Sequence, residues 1–198
     1  MRQAQSGLAG FADFPKFHRV IGLLRLIGVF NAAIWLGGAV FFTAVTSPAL
    51  SSDAMSAVLQ PKNFPYFSPA ILHVVLSGYF EFSIVCALIA LLHLTIEWIY
   101  LGRPASRKFP LGLLLGLLVY AMVGSNLLQP HLKRLHATHF SAAAKPVERA
   151  IAGKSYHRWR VFISVMDFVV VGSLVVYFWR ITKPSDTPRF ISSVKFRG

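Results

Sequence analysis

Two carboxylates, Glu81 and Asp167, stand inside long apolar stretches of this chain, where ionisable groups are costly enough to imply a use. Each has polar company at helical spacing. His73, Ser77 and Glu81 recur every four residues, and His157, Arg160, Ser164 and Asp167 follow at three, four and three. Each set therefore falls along one face of a helix. Counted from His73 and His157, both carboxylates lie roughly 12–15 Å along their helices. The expectation is a polar seam at matched depth, with Arg160 placed to neutralise one carboxylate. Its first reading is internal glue, hydrogen bonds and an ion pair that fix helix packing. Its second is a path for protons or small cations through stacked carboxylates and imidazoles. A metal or haem site is the third.

The histidines define that third reading. A bis-histidine haem needs two imidazoles from different helices, facing each other at one depth. His73 could pair with His131, His136 or His157 near one membrane face, and His93 with His18 near the other, which would make a small cytochrome b. In "HLKRLHATHF" the spacing puts only His136 and His139 on one helix face, a weak metal signal and more simply a surface helix with an imidazole edge. The single cysteine, Cys86, rules out an internal disulfide and a four-cysteine zinc or iron–sulfur site. There is no nucleophile–base–acid set, phosphate loop or H-E-x-x-H motif, so the chain reads as a non-enzyme.

The elements that must carry these residues are long apolar helices. Hydrophobic residues make up 55% of the 198 and charged residues 14%, with a mean hydropathy of +0.58. Soluble domains carry about 25% charged residues. Four segments of roughly 20 apolar residues or more stand out: about 20–46, ended by Pro48; 70–101; 111–128, bounded by Pro110 and Pro130; and 159–179. Arg25 lies near enough to the end of the first to snorkel. The fold expected is an all-α bundle of four transmembrane helices over residues 20–181, with a polar segment at 1–19 and a flexible tail at 182–198. Aromatic residues collect at the helix ends, among them Tyr66, Phe67, Trp98, Tyr156, Trp159, Tyr177 and Trp179, as interfacial belts do. "FPYFSP" suggests an irregular or re-entrant connection, and 130–157 suggests an amphipathic helix lying on the membrane surface.

Small residues mark packing faces. Gly112 and Gly116 form a G-x-x-x-G, and Gly37 with Gly38 lies in "WLGG". Both suit close helix approach, inside the bundle or between subunits. The net charge of +13 sits beside apolar segments, which fits lipid headgroups and not nucleic acid. Twelve Lys and Arg fall on the side of the chain ends and eight on the other, so both termini are expected in the cytoplasm. The compact four-span form suggests a bacterial inner membrane.

Three stretches carry a family resemblance: "AAIWLGGAVFFTAVTSPAL" with Trp35, Gly37, Gly38 and Pro48; "PKNFPYFSPAILHVVLSG" with Phe64, Pro65 and Phe67; and "LLQPHLKRL" with Gln129 and Pro130, followed by "KSYHRWRVFISVMDFVVVGSLVV". In order and spacing they resemble the transmembrane protein 205-like family (DUF4149), over residues 28–179. The family's His-Gly-x-Ser element is here His157-Arg158-Trp159-Arg160, with Ser164 further on. The resemblance implies a four-helix membrane fold and supplies no catalytic residues. Together these readings favour an accessory subunit bound to other membrane subunits or to itself. The alternatives are a haem- or quinone-binding anchor and a small proton or cation transporter.

Overall fold

The computed structural model describes residues 14–101 and 108–183, with side chains over 22–99 and 108–183. The expected segment before residue 14, the 102–107 connection and the tail beyond 183 lie outside the described residues. Every regular element described is helical: α1 (Phe14–Phe41), a π-helical segment π1 (Phe42–Thr46), α2 (Ser47–Leu50), α3 (Asp53–Leu59), α4 (Phe64–Leu101), α5 (Lys108–Val123), a second π segment π2 (Gly124–Leu128), α6 (Gln129–Phe140) and α7 (Pro146–Thr182). α1, π1 and α2 follow one another without a break, as do α5, π2 and α6. Four stretches are long and apolar enough to cross a membrane: Gly22–Leu50, Phe64–Ile99, Lys108–Phe140 and Pro146–Thr182. The chain is an all-α membrane bundle, in which the first span packs on the second and fourth, the second on the third, and the third on the fourth.

Pro48 and Pro130 do not end their helices as expected, because each is accommodated by a π segment. A proline removes an N–H bond and drives its ring at the carbonyl four residues back. Phe42 and Gly124, which open π1 and π2, each lie six residues before a proline. The wider turn makes room for the ring, and the N–H groups of Ser47 and Gln129 bond instead to the carbonyls of Phe42 and Gly124, five residues back. The third span thus runs on to Phe140 and α7 starts at Pro146, so the expected surface helix over 130–157 is instead a hairpin continuing both spans. Arg149 ties its turn, donating to the carbonyls of Ala142 and Ala144 at 2.7 and 2.9 Å. "FPYFSP" is likewise helical: Pro65 stands in the first turn of α4, where prolines are best tolerated, and Pro69 lies inside the helix one turn further on.

At the other end of the first span, the Ser68 hydroxyl donates to the Leu50 carbonyl, one of the acceptors that a helix end leaves unpaired. Near the chain ends, Arg25 does not simply snorkel. It donates to the Lys183 carbonyl at 2.9 Å, which closes α7 onto α1 and places positive charge where the helix dipole favours it. The core is filled by Trp35, Phe80, Leu114 and Leu174, and Phe42 of π1 stacks on Tyr79 at 4.4 Å. Asn31 donates to the Cys86 carbonyl at 3.0 Å inside the first–second interface.

Of the four glycines marked as packing faces, one meets a neighbouring helix inside the bundle and three turn away from it. Gly38 does meet Phe82, but Gly37, Gly112 and Gly116 face outward with open space where a Cβ would stand. Gly28 lies under the His93 ring and Gly124 under Phe80. Gly124→Ala should therefore destabilise the bundle by about 1–3 kcal/mol, the range for overpacking. Gly116→Ala should leave stability unchanged or raise it through helix propensity. Thermal unfolding in detergent separates the two, and equal losses would contradict this packing.

Candidate functional site

The polar residues of α7 converge on one place. A cavity of about 490 Å³ lies between the end of the first span and the outer part of the fourth, and His157, Arg160, Ser164 and Asp167 all line it. π1 and α2 supply Phe42, Thr43, Ser47 and Pro48, with Ser51 just beyond. α4 supplies Leu72, His73 and Leu76, and α6 supplies Leu132. The cavity lies toward the membrane face opposite the chain ends, since it is built where the first span finishes and the second and fourth begin. Pro48, Val161, Ser164 and Phe168 along it are exposed, so it opens sideways between the first and fourth spans.

The seam expected from the sequence is only half assembled here. His73 joins the four α7 residues, but Ser77 is not among the lining residues and Glu81 is exposed on the outer surface of α4. Nor does Arg160 pair with a carboxylate among the described residues. Its guanidinium donates to the Ser51 hydroxyl, and Asp167 lies two turns further along α7, roughly 10 Å away along the axis. Asp167 is 4% exposed and accepts a hydrogen bond from the Tyr120 hydroxyl of α5 at 3.3 Å. Because Glu81 and Asp167 face different ways, they do not form a continuous polar path.

His73 occupies an unusual position. It is 4% exposed, and neither ring nitrogen has a hydrogen-bond partner, although its backbone carbonyl accepts from the Gln129 amide. Buried polar atoms of this kind are rare and call for a reason. The Thr43 hydroxyl, on the same cavity, is also without a partner. On its other side His73 meets His136 and Tyr156 edge-on, with ring centroids 5.7 and 5.8 Å apart. Tyr66 and Phe140 extend this aromatic group around His136. The α6–α7 hairpin therefore reaches back to cover the start of α4.

These contacts bear on the histidine sites. His73 and His136 touch directly, with Tyr156 against both, so no macrocycle plane passes between them. His93 turns Nε2 and Cε1 toward Gly28, each 2.6 Å from where a Cβ would stand, so that nitrogen faces the α1 backbone. The side chain of His18 lies outside the described residues. His131 packs on the Trp159 ring at 5.5 Å, and the His139 Nδ1 lies 2.9 Å from the Arg149 carbonyl. Among the described residues no group of three or more His, Cys, Asp or Glu side chains is arranged to hold a metal ion. Residues that sequence reasoning missed include Tyr120, Thr43, Ser47 and Ser51. Only Tyr120 had a signal, as a tyrosine in mid-span and not at an interfacial belt.

Comparison with protein-family models, with curated proteins and with solved structures finds no match to this chain. The site is thus read from its own geometry. Tyr120→Phe should leave the buried Asp167 one donor short and lower stability by about 1–3 kcal/mol. Asp167→Asn keeps an acceptor for Tyr120 and should cost less. Unfolding of both variants in one detergent checks the order, and a Tyr120→Phe protein as stable as the wild type would contradict the pairing.

Proposed function

We propose that the protein is a non-catalytic accessory subunit of a larger membrane assembly. One observation carries the reading: Glu81 is exposed on the outer surface of α4, midway between the Tyr66–Phe67 and Trp98 belts. A charged side chain at that depth against lipid costs about 2.5–3.5 kcal/mol on insertion scales. A neighbouring protein helix that offers a cation or a hydrogen-bond donor removes this cost. Other outward features at hand suit close contact. Gly78 of α4 has open space beside it, as do Gly112 and Gly116 of α5. Asn126 is exposed in π2, at the level of Glu81, because Gly124 packs on Phe80.

Placement in a bacterial inner membrane with both chain ends cytoplasmic belongs to the same proposal. It rests on the excess of Lys and Arg on the side of the termini. Kinship with the transmembrane protein 205-like family is part of it too, resting on Trp35, Gly37, Gly38 and Pro48 among the residues quoted above.

The test is the native mass of the protein extracted from its own host membranes in a mild detergent. A stoichiometric membrane partner should accompany the wild type and be lost from Glu81→Leu, while Phe168→Leu, on another face, keeps it. A monodisperse monomer in all three cases would overturn the reading.

A further inference from the structure

The cavity carries an inference independent of the subunit reading. Its two ends differ in charge. At the outer end stands the Arg160 guanidinium, half-buried, with the Ser51 and Tyr156 hydroxyls as hydrogen-bond partners and no carboxylate paired to it among the described residues. His157 lines the same stretch of wall. At the inner end is Asp167, already held by Tyr120. Between them lie the unpartnered His73 ring and Thr43 hydroxyl. The remaining wall is apolar, built from Phe42, Leu72, Leu76, Leu132, Ile163 and Phe168. A volume of about 490 Å³ lies within the range of small-molecule sites.

From this arrangement we infer that the cavity binds one amphiphile with an anionic head, a carboxylate or a phosphate. The head sits at the outer end, where Arg160 offers a planar fork of donors matched to an oxyanion. Ser51 and His157 flank it. The apolar body runs along the Phe42–Leu76–Phe168 wall and leaves through the lateral opening into the bilayer. Asp167 repels a second anion, which fixes the direction of entry: head outward, chain inward or sideways. His73 and Thr43 find partners in the polar part of the ligand. The charge of Arg160 is then compensated by the ligand and not by the protein. The chemistry is shared by free fatty acids and by anionic phospholipids, and the experiment must separate the two sources.

Native mass spectrometry of the delipidated protein in maltoside detergent does so, with four probes added singly: oleate, dioleoylphosphatidylglycerol, dioleoylphosphatidylcholine and a ubiquinone. The expected result is a one-to-one adduct with oleate or with phosphatidylglycerol, at least tenfold more persistent than that with phosphatidylcholine. The stronger of the two anionic adducts names the source. Arg160→Gln should remove the preference, Arg160→Lys should keep part of it, and Ser164→Trp should block the adduct by filling the mouth. Thermal unfolding of each variant confirms that it is folded, and Arg160→Lys with Ser164→Trp keeps the test open if Arg160→Gln is not. Equal retention of anionic and zwitterionic lipid, unchanged preference in the folded Arg160 variants, or tighter binding of the quinone would each overturn the inference.

Discussion

A bilayer interior offers no water, so every backbone and side-chain polar group within it must find a partner in the protein. Pro48 and Pro130, inside the first and third spans, confront this constraint most directly, because each removes a donor and crowds a carbonyl. The π segments at Phe42–Thr46 and Gly124–Leu128 resolve it by shifting the hydrogen-bond pattern back one residue. Their consequences reach well beyond the backbone. π2 lets the third span continue into α6, which brings His136 and Leu132 back over His73 and the cavity. π1 carries Phe42 and Thr43 into the cavity wall and leads to Ser47, Pro48 and Ser51 at its mouth. π turns recur at functional sites for this reason: they re-aim side chains without ending the helix.

The same constraint separates the polar groups that are satisfied from those that are not. Asn31, Gln129, Ser68 and Arg25 each reach a backbone carbonyl on another element. These bonds fix the register of neighbouring helices. Around the cavity the pattern changes, with His73 and Thr43 unpartnered and Arg160 held only by hydroxyl chemistry. Glu81 is different again, a carboxylate turned outward where none of the described residues supplies a wall. On the readings proposed above, the first location takes a small ligand and the second a macromolecular neighbour.

Much of the fold was legible in the residues. The four apolar runs, their aromatic ends and the spacing on α7 are directly visible, and His157, Arg160, Ser164 and Asp167 do share one cavity wall. The face taken by Glu81 was not legible. A spacing of four overshoots the helical turn by about 40°, so Glu81 lies about 80° round α4 from His73. His73 stands at the edge of the buried sector, and that drift carries Ser77 and Glu81 out of it. Hydropathy gives no warning, because the lipid-facing side of a spanning helix is as apolar as its core side. The π segments were hidden too, since a proline after an apolar run reads as a helix end. The glycines were legible only in part for a related reason: a short motif marks smallness and not the direction it faces, so Gly38 packs inside the bundle while Gly37, Gly112 and Gly116 turn outward.

The central claim is that the polar face of the fourth span lines a cavity in the half of the membrane away from the chain ends, open sideways between the first and fourth spans and reached by water past Ser47 and Ser51. Substituted-cysteine labelling tests it most directly, in a Cys86→Ala background with a membrane-impermeant maleimide applied to each side of sealed vesicles. Cysteines at Ser47, Ser51 and Ser164 should react from the side opposite the termini, while Val165, one residue further on and facing lipid, stays unreactive. Labelling of Ser164 and Val165 alike, or of Ser164 only from the side of the termini, would contradict the account.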